Sequence, residues 1–304
     1  MIEYTQNNKI NFDYGGEMFG DKTLGSTLKF NLAQCTRRPK SFKEECYDVA
    51  RILNEKAKHQ GRVPTILLSG GLDSEVVCKA FIEQDIPFEA VTFRFENELN
   101  RHEIHFVNKF CERHGIKTRF FDMDAVSFIN SSAALELYLK TRCARTIMLP
   151  HMLLISEVWN NGGMPIVGGG DIVIHNSNGW KFCKYEYMLS WFIHSLNESI
   201  DGGVAFFQHT PEIILAMLNE KEIMWATDPK NINARILKDV RLEKYKTYHR
   251  IWPDFEKRPK YYGIELVFDL YMRKMFEFDK HRQIQYDGTW EIDLAEARKI
   301  VEPI

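Results

Sequence analysis

The chain has 304 residues, a formal net charge of −2, and 44% hydrophobic and 13% aromatic residues, enough for one large α/β domain or a core domain with a helical extension. The near-neutral balance gives no electrostatic ground for a general nucleic-acid binder. No apolar run reaches the ~18 residues that span a bilayer, and the opening Met1-Ile2-Glu3-Tyr4-Thr5-Gln6 lacks the basic and apolar blocks of a secretory signal, so a cytoplasmic protein is expected.

The cysteines (Cys35, Cys46, Cys78, Cys111, Cys143 and Cys183) show no Cys-x-x-Cys spacing and read as reduced thiols. Residues 1–40 are irregular, with short strands expected at 9–14 and 28–32, and no cysteine follows Met1 to act as an N-terminal nucleophile. The spacing predicts a helix over 42–59. Ser41 and Glu44 stand in capping-box relation there, and Cys46, Val49, Ala50, Ile52 and Leu53 recur at helical intervals.

Pro64 leads into a buried strand at 65–68, which turns through Gly70 and Gly71 into a helix over 74–84. Glycines let the backbone approach a ligand closely. Asp73 and Ser74 fall in the first helical turn, where unpaired N–H groups and the positive dipole end face outward. Strand, glycine turn and helix N-terminus together suit a phosphate. The Lys-Ser/Thr pair of the mononucleotide loop is missing, as are the three spaced glycines of the dinucleotide fingerprint.

A strand at 88–95, a helix at 101–114 ended by Gly115, and a strand at 117–121 follow. Alternation of this kind implies right-handed crossovers and a parallel sheet that binds ligands beyond its carboxyl ends, near Thr92–Phe95. His102 and His105 lack the zinc-protease spacing and read as surface or packing residues. A helix at 133–141 precedes Arg142-Cys143-Ala144-Arg145, whose arginines either clamp an anion bidentately or form a solvated face. Next come a helix at 151–159, a strand at 165–167 and the turn Gly168-Gly169-Gly170-Asp171. Lys181 and Lys184 follow an Asn178-Gly179 turn.

The last ~100 residues read as helical, with Thr210-Pro211-Glu212 as a clean helix start. Residues 231–250 are basic and read as a solvated face, with a phosphate-rich partner such as tRNA as the less favoured alternative. Aromatic clusters at 252–255 and 261–271 are expected to dock this region on the sheet. The division expected is an irregular segment at 1–40, a nucleotide domain at 41–185 and a helical region at 186–304.

Ser69-Gly70-Gly71-Leu72-Asp73-Ser74, between strand and helix, resembles the PP-loop of the N-type ATP pyrophosphatases. With the Arg-Pro helix, strand and acidic turn, roughly residues 42–175 resemble the synthetase domain of the asparagine synthetase and β-lactam synthetase family. The resemblance implies an adenine nucleotide alpha hydrolase-like fold: a doubly wound parallel sheet with a mainly helical C-terminal extension. It implies ATP with its β- and γ-phosphates on Leu68, Ser69, Gly70, Gly71, Leu72, Asp73 and Ser74. Adenine would lie by Thr92 and Phe93 (otherwise a core residue), with Gly168, Gly169 and Gly170 lining the site. Mg²⁺ would be held by Asp73 and Asp171, and Arg145 and Lys184 would place positive charge near the reacting phosphates.

The reaction implied is adenylation of a carboxylate or carbonyl oxygen, with loss of pyrophosphate, then transfer to nitrogen. The nitrogen donor is ammonia, a substrate amine or a separate glutaminase. The sequence departs from the family twice: Gly168 stands where the family has an acid, and Ile172 where it has the glutamate that lies close to the acyl acceptor, which points away from aspartate as acceptor. The three glycines suggest a backbone-lined pocket for a different or bulkier group. Alternatives are a tRNA or nucleobase thiolase, disfavoured by the absent cysteine pair, a ligase modifying preQ-like or tRNA substrates, and a nucleotide sensor without turnover.

Overall fold

Strand β4 (Val63–Leu67) is buried from its second residue on, and its apolar side chains enter the core on both faces. In the computed structural model it lies at the centre of a parallel sheet. The structure describes residues 2–7, 10–14, 28–32, 34–141, 143, 145–169, 173–176, 180–185, 189–228, 241–258, 264–280 and 289–293. Strands β5 (Glu89–Phe95) and β6 (Thr118–Met123) follow on one side of β4, and β7 (Gly163–Val167) flanks the other, giving the order β6-β5-β4-β7. Helix α2 (Leu72–Ile82) makes the first crossover and α3 (Arg101–His114) the second. The chain then returns through α4 (Ala125–Ile129), α5 (Ser132–Thr141) and α6 (Leu149–Asn160) to place β7. Winding therefore reverses beside β4, and the crevice outside its carboxyl end is the topological switch point where such sheets bind ligands. The expected α/β fold, a parallel sheet wound with helices, is what the chain adopts.

Local signals set the boundaries closely. Ser41 caps α1 (Phe42–His59) with its capping box to Glu44 complete, and Gly115 ends α3 in the left-handed region at φ 66°. Cys46, Val49, Ala50, Leu53 and Ala57 of α1 are buried, whereas Ile52, expected in the same stripe, is 43% exposed and points off the core. Cys35, Cys46, Cys78, Cys111 and Cys143 are buried, Cys78 and Cys111 within the helix-packed core.

Two antiparallel sheets stand beside the parallel one: β1 (Ile2–Asn7), β2 (Ile10–Tyr14) and β3 (Leu28–Leu32), and separately β8 (Val173–Asn176), β9 (Trp180–Tyr185) and β10 (Thr289–Asp293). The strands at 10–14 and 28–32 answer to those expected. β10 was not expected in a helical stretch; it pairs with β9, so residues near the C-terminal end complete a sheet begun in the middle of the chain.

The remaining described elements are helical: α7 (Leu189–Asn197), α8 (Pro211–Leu218), α9 (Lys221–Thr227), α10 (Arg241–Ile251) and α11 (Phe268–Asp279). Thr210 caps α8 with Pro211 in its first turn, as its sequence requires. Docking on the sheet domain is aromatic. Trp252 and Tyr248 pack with Phe42 at ring separations of 6.5 and 6.0 Å, and the indole of Trp252 donates to Glu83 at 3.3 Å. The hydroxyl of buried Tyr271 donates to the Ala125 carbonyl at 2.9 Å. Tyr261 lies outside the described residues. No described helix is long and apolar enough to cross a membrane.

Candidate functional site

A cavity of about 280 Å³ opens at the switch point, with the Ser69–Ser74 loop as its floor. The loop is held by its own hydroxyls. Ser74 Oγ donates to the Gly71 carbonyl at 2.9 Å and accepts from the Ser69 N–H at 3.1 Å, and Ser69 Oγ accepts from the Gly71 N–H at 3.3 Å. Buried Ser74 thus braces the turn at the edge of the cavity. Gly71 is the N-cap residue of α2 and makes no side-chain cap bond, so the first N–H groups of α2 lack intrahelical acceptors and suit an anion.

Gly70 sits at φ +75°, and a Cβ there would come within 2.7 Å of the Glu103 carbonyl oxygen. Gly168 is less tightly confined, since a Cβ would meet the backbone of Asp73 and Ser74 at 3.0 Å. An acidic side chain at 168 therefore requires the start of α2 to give way by a few tenths of an ångström. The space a Cβ of Gly169 would need is filled by the ring of Trp191, so this glycine receives a neighbouring side chain instead of opening a wide pocket.

Leu68 through Ser74, Thr92, Phe93, Arg145 and Gly168 all line the same cavity. The hydroxyl of Thr92 donates to the Leu68 carbonyl at 2.6 Å and ties β5 to the entry of the loop. Phe93 packs against Phe95, Phe121 and His151, and its carbonyl accepts from Asn100 Nδ2 at 3.0 Å. Arg145 is exposed at the cavity mouth. Gly170, Asp171 and Arg142 lie outside the described residues, as do the side chains of Lys181 and Lys184; the backbone of those two lysines runs in β9.

Sequence reasoning missed the residues that grip the loop from α10 and its sequel. Lys244 donates to Asp73 Oδ1 at 2.9 Å, and Tyr248 donates to the same oxygen at 2.9 Å. Both are almost fully buried, Lys244 at 3% exposure, so this cation of the basic stretch turns inward while Lys246 and Arg250 lie on the expected solvated face. Arg258 pairs bidentately with Glu75 at 2.7 and 2.6 Å and also donates to the Gly70 carbonyl at 2.6 Å. A signal existed: Lys244, Tyr248 and Trp252 recur at helical spacing, with a cation inside an aromatic stripe.

Burial dominates the electrostatics of the cavity walls. Desolvation, then the charge of Glu265, pushes the Glu103 carboxyl up to about 8, so it holds a proton at neutral pH. Desolvation pushes Glu75 up to about 7 against the pull of Arg258. Burial lowers His151 to about 4, leaving a neutral imidazole between Phe93 and Trp191. The Trp191 indole N–H, buried in the cavity wall, has no hydrogen-bond partner among the described residues.

Among the described residues no group of three or more His, Cys, Asp or Glu could hold a metal ion. Asp73 can still contribute. Its Oδ1 is taken by Lys244 and Tyr248, but no described residue donates to Oδ2, which leaves one hard oxygen for a hydrated divalent cation.

Residues 64–145 match the family model described as "Queuosine biosynthesis protein QueC". No curated protein matches the sequence. Among solved structures, NMN synthetase from Francisella tularensis is 15% identical, with a TM-score of 0.35 over 73% of this chain and 100% of that one. NH3-dependent NAD synthetase from Campylobacter jejuni in complex with nitrate is 11% identical, with a TM-score of 0.33 over 73% and 100%. Glutamine-dependent NAD+ synthetase from Acinetobacter baumannii in complex with ADP is 14% identical, with a TM-score of 0.35 over 91% of this chain and 50% of that one. The Ser-Gly-Gly-Leu-Asp-Ser loop lies in its strand-to-helix setting inside the QueC match, as the resemblance to the PP-loop superfamily implies.

Proposed function

We propose that this PP-loop protein is an AMP-forming ligase: it binds ATP in the switch-point cavity, adenylates an acyl or carbonyl oxygen and passes the activated group to nitrogen. The observation that carries the reading is the loop itself, a glycine turn opening a helix whose free N–H groups meet a cavity walled by Thr92, Phe93 and Gly168. An oxygen of the substrate attacks the α-phosphorus, the bond to the bridging oxygen of pyrophosphate breaks, and pyrophosphate leaves. A nitrogen nucleophile then attacks the activated carbon, AMP departs, and the surplus proton goes to solvent or a basic group.

This chain contributes placement and charge. The loop amides would hold the β- and γ-phosphates. Lys244, packed against Asp73, would put positive charge beside them, with Arg145 at the mouth and the expected Lys184 as a further cation. Asp73 Oδ2, joined by Asp171, would hold Mg²⁺, which supplies charge neutralisation on the departing pyrophosphate. The nitrogen comes from ammonia, an amine or a separate glutaminase.

A second reading is modification of a nucleobase or of tRNA, favoured by the QueC match over 64–145. The two readings share the adenylation step and differ in the acceptor. ATP–pyrophosphate exchange measured with a panel of small carboxylic acids and another of modified nucleobases tests both. Exchange dependent on one acceptor class identifies it, and no exchange with any acceptor refutes the ligase.

A further inference from the structure

The cavity floor is gripped at its border by a residue whose guanidinium is committed to protein partners. Arg258 lies seven residues beyond α10 and is 4% exposed at its side chain, and Glu75, its partner in the first turn of α2, is 1% exposed. Every nitrogen of the guanidinium is engaged. Nη1 donates to the Gly70 carbonyl at 2.6 Å and to Glu75 Oε1 at 2.7 Å, Nη2 to Glu75 Oε2 at 2.6 Å, and Nε to the Glu256 carbonyl at 3.2 Å. The face of the guanidinium lies over the Phe106 ring at 4.5 Å. A cation so fully engaged does not serve as a phosphate clamp, although it borders the cavity.

Its contacts fall on the two elements whose relation sets the shape of the loop. One is the carbonyl of Gly70, the residue in the left-handed region; the other is the start of α2, through Glu75. On its other side Gly70 abuts the Glu103 carbonyl, so the peptide is pinned between α3 and Arg258. The segment that carries Arg258 is fastened to α2 and α3 by Lys79–Asp254 at 3.2 Å and Lys109–Glu256 at 3.0 Å.

We propose that Arg258 is the positioning residue of the phosphate loop: by holding the Gly70 carbonyl and Glu75 together it keeps the N–H groups that follow turned toward the cavity. The proposal rests on reading the loop as the phosphate site. It adds that the loop's conformation is imposed by the C-terminal region and is not a property of the strand–turn–helix alone. Lysine cannot replace arginine here, because a single ammonium lacks the planar fork that reaches both carboxylate oxygens and the carbonyl at once.

The test is hydrogen–deuterium exchange on the full-length chain, comparing wild type with Arg258→Lys, Arg258→Gln and the double variant Glu75→Leu/Arg258→Met. The double variant replaces the buried pair with apolar side chains, an exchange that buried ion pairs often tolerate. Exchange in 68–75 is expected to rise at least about tenfold in the glutamine and double variants, and less in the lysine variant, while 42–59 stays as in wild type. Alongside, affinity for ATP is expected to fall about tenfold and affinity for adenosine to stay within about twofold, a split that general destabilisation would not produce.

Unchanged exchange in 68–75, or equal loss of ATP and adenosine binding, overturns the proposal. Failure of even the double variant to fold also overturns it, since the pair would then serve the whole domain. A wild type that binds neither nucleotide refutes the proposed function, and the exchange measurement still decides the role of Arg258.

Discussion

Replacing Gly70 with alanine forces two separate costs on one residue. The backbone stands at φ +75°, where an L side chain costs about 1–2 kcal/mol. The new Cβ would lie 2.7 Å from the Glu103 carbonyl oxygen, a backbone atom that cannot rotate away, and overpacking of this kind costs about 1–3 kcal/mol. Together they give about 3 kcal/mol, or a drop of about 1 M in the urea midpoint at a slope near 3 kcal/mol/M.

Two other glycines separate the terms. Gly61 has φ +63° with nothing within 4 Å of a built Cβ, so its alanine variant shows the conformational share alone, about 1 kcal/mol. Gly71 has φ −87° and its nearest neighbour is the Ser69 hydroxyl at 3.3 Å, so alanine there is expected to cost less than about 1 kcal/mol. Urea unfolding followed by circular dichroism ranks the three. If Gly70→Ala is no less stable than Gly61→Ala, the close packing of the loop against α3 is wrong.

Further outcomes follow from the site. Lys244→Met removes the ammonium from Asp73 Oδ1 and is expected to lower ATP–pyrophosphate exchange about 100-fold, whereas Tyr248→Phe, which loses one neutral donor to the same oxygen, should lower it only about fivefold. Steady-state exchange rates of the two variants check the ratio. Glu103 is raised from 4.5 to about 8 in the folded protein. Its stabilising contribution is complete below about pH 4.5 and is lost as the pH rises through about 8. Glu103→Gln should therefore flatten the decline in melting temperature across that window, and a wild-type slope left intact in the variant would contradict the assignment. Gly169→Ala puts a methyl group into the Trp191 ring and is expected to alter tryptophan fluorescence as well as stability; an unchanged spectrum would place Trp191 elsewhere.

The core of the fold was readable because its signals are local. A buried strand, two glycines and a helix start specify β4, the loop and α2, while the Ser41–Glu44 capping box and Gly115 mark helix ends within a residue or so. Alternating strands and helices then leave few topologies, and the parallel sheet follows. What sequence could not supply was who holds the loop.

Lys244 reaches Asp73 across 171 positions and Arg258 reaches Gly70 across 188, and no local pattern reports such pairings. A basic helix reads as solvated unless one sees that Tyr248 and Trp252 carry it into the cluster around Phe42. The glycine at 168 first appeared as a missing acid; its reason is steric, because the start of α2 crowds the space. β10 escaped notice for the same cause as Lys244: its partner β9 lies about a hundred residues earlier, and an edge pairing leaves little trace in periodicity.

The most direct measurement is the fate of ATP labelled at its α-phosphate when the purified protein is incubated with Mg²⁺, an acceptor that supports exchange, and ammonium as the nitrogen donor. Label recovered in AMP, with pyrophosphate released in equal amount and both lost in Asp73→Asn, is the expected result. Label recovered in ADP with release of orthophosphate, or no nucleotide binding at all, would contradict it.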